Sequence, residues 1–242
     1  MKYSLIAFLL LLNGCASTGD SNPEDPFESI NRPLYSFNRA LDKAILRPAA
    51  KGYDAITPEP VQTGVSNFFE NLDDVVTAVN GLLQGKVAQS GSDTLRVVVN
   101  STIGIGGLFD VASSWGMDKH DEDFGQTLGT WGVGSGAYVM LPFFGPSTIR
   151  DGVGEVFDYP LDPFKYTDHV PTKNTVRGLD LLDKRTGLLE FDGQLEEAID
   201  EYAFVRDAFL QNREFKVYDG NPPEDDEEWL EDECYEEDEE DC

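Results

Sequence analysis

Cysteine is nearly missing from this 242-residue chain: Cys15, Cys234 and Cys242 are its only three, and all lie near the ends. Neither a disulfide framework nor a four-ligand zinc site can therefore hold the body together. Basic residues are scarce as well, 18 against 46 acidic, for a formal net charge of −28. Half of that charge sits in residues 221–242, which carry 14 acidic residues and no basic one. Body and tail of this sign repel a phosphate backbone, which excludes nucleic acid as a partner. The only histidines are His120 and His169. No H-E-x-x-H or P-loop is present, so neither a metal nor a nucleotide cofactor is expected. Apart from the leader, no run reaches 18 apolar residues, and no single helix is expected to cross a membrane.

Charge is also missing locally. Phe124 to Ile149 is 26 residues without a formal charge, and Asn100 to Gly154 around it holds 12 of the 23 glycines. Six glycines with Pro142 and Pro146 would break a lipid-exposed helix, whose freed backbone groups find no partner in hydrocarbon. The stretch reads as an apolar, glycine-permitted surface that works beside lipid. A charged crest, Asp118 to Asp123, divides it into two apolar arms.

At the start, Lys2, the apolar run Leu5 to Leu12 and the small residues before Cys15 form a secretory signal peptide. Leu12-Asn13-Gly14-Cys15 resembles a bacterial lipobox, in which Cys15 becomes the lipidated N-terminus; acyl chains there would hold the protein to a membrane. Ala16 in place of Asp resembles the sorting signal for the outer membrane. The expected organisation is a leader over 1–14, a lipidated linker over 15–24, one helical domain over 25–220 and an acidic disordered tail over 221–242.

In the body, Ile30, Leu34, Phe37, Leu41 and Ile45 have helical spacing, with Asp25 placed to cap and Pro26 at the first helical position. Asn31, Arg32, Tyr35 and Asn38 adjoin this stripe, either as a satisfied buried network or as a face on lipid headgroups. Pro48, Pro58 and Pro60 punctuate a short helix around 49–55. Val61 to Leu83 carries a wide apolar stripe over about six turns. Asn67, Asn71 and Asn80 lie along it, as structural glue or as a hydrophilic wall of a channel. The run Leu95 to Ile103 could be strand or helix by composition. Gly104, Gly106 and Gly107 turn the chain before Phe109. Tyr138, Leu141, Phe143 and Phe144 make an aromatic wall, and Arg150-Asp151 is an ion pair or a headgroup contact. Farther on, Val176, Leu179 and Leu182, then Leu195, Ile199, Tyr202, Val205 and Phe209, return to helical spacing, with Gly187 and Gly193 between them. These two charge-rich helices read as struts explained by packing.

Several blocks resemble one family: DPFESINRPLYSFNRALD from Asp25, LRPA at Leu46 to Ala49, SNFFENL at Ser66 to Leu72, VNGLLQGK at Val79 to Lys86, NSTIGIGGLFDVAS at Asn100 to Ser113, and Glu122 to Gly154 in register. Together they are similar to the VacJ/MlaA family of outer-membrane phospholipid-transport lipoproteins, over roughly 25–220. The resemblance implies an all-α domain forming a ring around a central amphipathic channel, with helix over Leu95 to Ile103. It implies a re-entrant hairpin that gates the channel, formed around Gly104, Gly106, Gly107, Phe109, Trp115, Phe124 and Gly125. Asp25, Pro26, Asn31, Arg32, Tyr35, Asn38, Arg150 and Asp151 belong to its motifs. It further implies association with a trimeric porin, a location on the periplasmic side of the cell outer membrane, and removal of misplaced outer-leaflet phospholipid to a soluble periplasmic carrier.

An enzyme is not expected. No G-x-S-x-G occurs, Ser135 having its glycines at the wrong spacing. His120 and His169 read as loop residues. The alternatives are a structural lipoprotein that scaffolds porins and, less favoured, a phospholipase.

Overall fold

The computed structural model describes residues 23–166 and 168–223. Cys15 with its leader, Cys234, Cys242 and the rest of the acidic tail lie outside the described residues. The body is helical, with a single small hairpin of strands among the described residues.

Helix α1, Glu28–Leu41, starts later than its sequence suggests. Phe27 is the N-cap and supplies no side-chain bond, while Asp25 turns inward and is 1% exposed. Asp25 is thus a buried acceptor, taking a bond from Asn31 Nδ2 at 2.8 Å and another from the Tyr202 hydroxyl. A π-helical turn, Asp42–Leu46, leads directly into α2, Arg47–Ile56. The widened turn precedes Pro48, whose ring nitrogen cannot donate to the turn before it.

Helix α3, Glu59–Leu83, is the longest element, and α4, Val87–Thr102, returns antiparallel to it. Gly85 makes the reversal possible with φ +82°. Its N–H reaches Leu82 O while Lys86 N–H reaches Gly81 O, a Schellman ending that satisfies the last carbonyls of α3. The run whose composition suited strand or helix is therefore helix. Next come the one-turn helix α5, Val111–Ser114, and α6, Phe124–Thr130.

Strands β1, Tyr138–Leu141, and β2, Gly145–Thr148, pair antiparallel with Met140 opposite Pro146. Helix α7, Ile149–Asp158, follows β2 without a break. The C-terminal part consists of α8, Val170–Gly187, the short α9, Asp192–Glu197, and α10, Glu201–Val217. The expected single helix from Leu195 to Phe209 is two, because Asp200 caps α10 by accepting from Tyr202 N–H at 3.0 Å and Ala203 N–H at 3.2 Å.

Neighbour contacts run α2 to α8, α8 to α3, α3 to α6, α6 to α10, α10 to β2, and β1 back to α1. The elements form a closed circuit rather than two layers over one core. What lies inside is unusual. Ala50, Phe69, Ala78, Ala112, Tyr138, Met140 and Tyr202 are the buried apolar residues among those described, against 18 buried polar or charged ones. Outside, Phe109, Trp115, Trp131, Phe143, Phe144 and Phe157 are each more than half exposed. A soluble domain arranges these classes the other way round. No described helix is long and apolar enough to cross a membrane.

Candidate functional site

Helices α3 and α8 bound a cavity of about 600 Å³, with Asp54 of α2 and Glu190 closing its rim. Residues at i, i+3, i+4 and i+7 share one helical face, which is how Ser66, Phe69, Glu70 and Asp73 come to line it together. Helix α8 answers with Asp180, Asp183 and Lys184. Lys184 Nζ lies 3.0 Å from Asp180 Oδ1 and 3.6 Å from Asp73 Oδ2. Burial works to lower the lysine pKa, but the Asp73 and Asp180 carboxylates outweigh it and hold the ammonium above its ordinary value. Ser66 Oγ donates to Asp183 Oδ2 at 2.8 Å. Burial pushes the Asp73 and Asp183 carboxyls up, and the Asp180 charge pushes in the same direction.

A second, smaller cavity of about 140 Å³ shares Phe69, Asp73 and Asp180 with the first, and adds Leu72, Val76, Pro163 and Val176 beside Asp162 and Arg177. Apolar side chains thus join charged ones along one groove between α3 and α8. An amphiphile has both kinds of surface to satisfy, and this groove offers both.

The asparagines of α3 point elsewhere. Asn67 Nδ2 donates to Leu108 O at 3.3 Å, Asn71 Nδ2 to Ser101 Oγ at 3.0 Å, and Asn80 Nδ2 to Asp158 Oδ1 at 2.8 Å. Asn80 also accepts from Thr127 Oγ1 and is fully buried. Of the two readings open for these residues, glue is the one their bonds describe, and none of the three lines the two chambers.

The glycines of the turn 103–109 have distinct duties. A Cβ on Gly104 would meet Phe109 O at 2.2 Å, and one on Gly107 would meet Asn71 at 2.9 Å. Gly106 has φ +72° with open space around it. Close packing explains Gly104, backbone conformation Gly106, and both Gly107, whose φ is +93°. Phe109 and Trp115 stand outward from this turn and from α5. On the returning arm Phe124 stacks on Phe157 at 4.8 Å and meets Trp131 edge-on at 5.9 Å. A Cβ on Gly125 would meet Asp151 Oδ1 at 2.5 Å, and one on Gly154 would meet the Gly125 nitrogen at 2.4 Å. Helices α6 and α7 touch backbone to backbone here.

The charged crest is pinned rather than free. Lys119 pairs with Glu70 at 2.6 Å, His120 Nδ1 lies 2.8 Å from the buried Asp93, and Glu122 receives Lys86 at 2.8 Å. Arg213 of α10 binds Asp123 at 2.6 Å and Asp151 at 2.7 Å. Although burial works against it, Arg213 holds the Asp123 carboxyl down at about 2. His120, expected as a solvated loop residue, is held in place by α4, and His169 caps α8 by accepting from Thr172 N–H. Beneath the crest, Arg96 is 2% exposed and donates to Ser113 Oγ, Met117 O and Asp110 Oδ2. Its Nε lies 3.4 Å from Asp74 Oδ2. Burial raises the Asp74 carboxyl to about 6, against the opposing pull of Arg96.

The N-terminal motif residues converge on the strand hairpin. Asn31 accepts from Met140 N–H at 2.9 Å and donates to Tyr138 O at 3.0 Å; Asn38 accepts from Phe143 N–H and donates to Leu141 O, both at 2.8 Å. Arg32 pairs with Asp200 at 2.7 Å and Tyr35 donates to Glu201 at 3.2 Å. Pro26 lies exposed before α1. Arg150 is buried, donating to Val133 O at 3.3 Å, with Asp151 Oδ1 at 3.5 Å. These polar groups hold one another. The expected aromatic wall divides: Tyr138 is fully buried and Leu141 half-buried, whereas Phe143 and Phe144 are 66% and 78% exposed. Tyr138 therefore belongs to the core and does not face lipid.

Reading the sequence missed the acidic lining of α8, which it treated as a strut. The signal was present in the i, i+3, i+4 placement of Asp180, Asp183 and Lys184 on one face.

A family model described as MlaA lipoprotein matches residues 23–216. The chain is 38% identical over 226 residues to the intermembrane phospholipid transport system lipoprotein MlaA of Escherichia coli, covering 89% of each. It is 34% identical over 232 residues to the protein of that name from Haemophilus influenzae, covering 91% of this chain and 93% of the relative. A solved structure described as "Structural basis for maintenance of bacterial outer membrane lipid asymmetry" superposes with a TM-score of 0.72 at 34% identity, covering 80% of this chain and 98% of the other.

Proposed function

This chain belongs to the MlaA lipoprotein family, and from that premise we propose that it transports phospholipid at the outer membrane and so maintains the lipid asymmetry of that membrane. The observation that carries the reading is the inverted body: charges and amides inside, aromatic and branched side chains outside. Polar groups turned inward and apolar groups turned outward suit a body set in lipid. Phospholipid leaves the outer leaflet along the groove between α3 and α8, its headgroup in the polar chamber and its chains against Leu72, Val76 and Val176 or the bilayer. It passes to a soluble periplasmic carrier. Acylated Cys15 anchors the body on the periplasmic side of the outer membrane, and a trimeric porin packs against part of the apolar exterior. Transport requires no covalent step, so the protein is not an enzyme.

A deletion strain tests this. Outer-leaflet phospholipid should accumulate and return to normal when the full-length gene is restored. Unchanged asymmetry with disturbed porin assembly would support a scaffold instead. The hairpin that carries Gly104, Gly106, Gly107, Phe109, Trp115, Phe124 and Gly125 acts as the gate, and a disulfide between Asn67→Cys and Leu108→Cys should block transfer until reduced. Transfer that survives the closed disulfide would remove the gate while leaving the path.

A further inference from the structure

The end of the C-terminal helix grips the gate hairpin at its crest. Arg213 and Lys216 of α10 are three residues apart and share a face. Each reaches a crest carboxylate: Arg213 takes Asp123 at 2.6 Å, and Lys216 takes Asp121 at 2.5 Å. The carboxylate between them, Glu122, is buried and receives Lys86, which also pairs with Asp219 just past the end of α10. All three crest carboxylates are thus tied to residues 213–219, directly or through Lys86. Other observations belong to the same grip. Arg213 donates from Nε and Nη2 to Asp151 of α7 at 3.0 and 2.7 Å, so one guanidinium joins the crest to the helix packed on α6. A Cβ on Gly129 would come within 2.9 Å of both methyls of Val217, which seats the last turn of α10 directly on α6. Asp219 holds φ +51°, an uncommon left-handed conformation for a residue other than glycine, and it is the residue that meets Lys86.

We propose that the last turn of α10 is a clasp that holds the gate hairpin shut, with Lys216 and Asp219 as its release points and Arg213 as its pivot. The contacts grade outward in strength. Arg213 and Asp151 have side chains only 12% exposed and meet through two hydrogen bonds, the strong kind of ion pair. Asp121 and Asp219 are more than half exposed, and pairs made in water are weak. Parting Lys216 from Asp121 and Asp219 from Lys86 strands no buried charge, because Glu122 keeps Lys86, Gln84 and Gln89 while Asp123 keeps Arg213. The gate therefore opens as often as two surface pairs part, and its opening answers to whatever draws on the C-terminal end of α10.

This inference rests on the reading of that hairpin as the gate, and its test separates the two. Full-length lipoprotein in proteoliposomes is followed for transfer of labelled phosphatidylethanolamine to unlabelled acceptor vesicles. Lys216→Gln combined with Asp219→Asn, which keeps a residue that tolerates the left-handed backbone, should speed transfer about threefold, as expected for loss of two part-exposed pairs. Amide exchange over residues 118–123 should rise by a similar factor while that of α3 and α4 stays unchanged, a local response that general destabilisation would not give. Raising ionic strength from about 0.05 M to about 0.5 M should speed transfer in the unaltered protein and have little effect on the double variant. Val217 lies between the two release points, so a disulfide between Gly129→Cys and Val217→Cys, in a chain carrying Cys234→Ser and Cys242→Ser, should stop transfer until reduced. Transfer by the double variant at the unaltered rate or below it overturns the clasp. So does transfer through the closed Gly129→Cys/Val217→Cys disulfide when the Asn67→Cys/Leu108→Cys disulfide blocks; the gate then stands without it. If neither disulfide blocks, the gate reading falls and this inference with it.

Discussion

Helix α3 has two polar faces, and they are built on opposite principles. Toward α4 and the crest, Asn71, Asp74 and Asn80 are buried, and their neighbours Ser101, Arg96, Thr127 and Asp158 are fixed on other elements. Toward α8, Ser66, Glu70 and Asp73 border open volume. The first face uses polar atoms to position the hairpin, where a missing partner costs the full desolvation of the group left behind. The second pairs its groups as well, Ser66 with Asp183, Glu70 with Lys119 and Asp73 with Lys184, but leaves them at the edge of open volume. Residue type does not distinguish the two faces, but burial does.

Four experiments press on that contrast, in descending order of expected effect. Arg96→Met should cost about 3–5 kcal/mol, since it strands Asp74 and Asp110 without their shared cation; thermal unfolding in detergent followed by circular dichroism reads it. A loss under 1 kcal/mol would mean that the inner face tolerates open partners after all. Gly154→Ala should cost about 1–3 kcal/mol because its methyl would enter the Gly125 backbone at 2.4 Å, whereas Gly178→Ala on α8, with nothing within 4 Å, should be neutral or mildly stabilising.

The third experiment is a pH series. Asp74 titrates at about 6 in the folded chain against roughly 3.9 when unfolded. The folded state then holds the extra proton between those values, so this group makes stability fall as pH rises through that window. Asp123, held down at about 2, acts in the opposite sense: its contribution is present above about 4 and is lost as pH falls toward 2. Asp74→Asn should flatten the pH 4–6 limb and leave the acid limb intact; an unchanged upper limb would place the titration elsewhere. Last, Glu190→Gln on the cavity rim should change stability by less than about 0.5 kcal/mol. A larger loss would make the rim structural and erase the difference between the two faces.

The helices α1, α3 and α8 were legible because apolar spacing and proline or glycine punctuation agree along them, whereas α4 was ambiguous by composition and only the family resemblance implied helix there. The strand hairpin was not. Tyr138 to Leu141 is four residues inside an uncharged, glycine-rich run, where burial of Tyr138 and Met140 against half-buried Val139 and Leu141 leaves no polar alternation to read. Its pairing is also completed from outside, by Asn31 and Asn38. The break before α10 could have been read from Asp200, a good cap standing four residues before the run Phe204 to Leu210; apolar spacing through Ile199 concealed it, and Ile199 is fully exposed. Asn31, Arg32, Tyr35 and Asn38 of the family signature turn out to share a physical reason, namely contact between α1 and elements more than 100 residues away. The chambers were hidden for a plainer cause: their walls come from segments that meet only in the fold.

The two asparagines of α1 carry one more implication. They are seven residues apart, about 10.5 Å along a helix axis, and the carbonyls they hold, Tyr138 and Leu141, are three residues apart, about 10 Å along a strand. Helix and strand are therefore commensurate over this interval, and α1 serves as a ruler laid along the open edge of β1. Substitutions between Asn31 and Asn38 can be absorbed one at a time. A one-residue insertion there cannot, because it turns Asn38 by about 100° around the axis and leaves the strand edge bare for another chain to pair with.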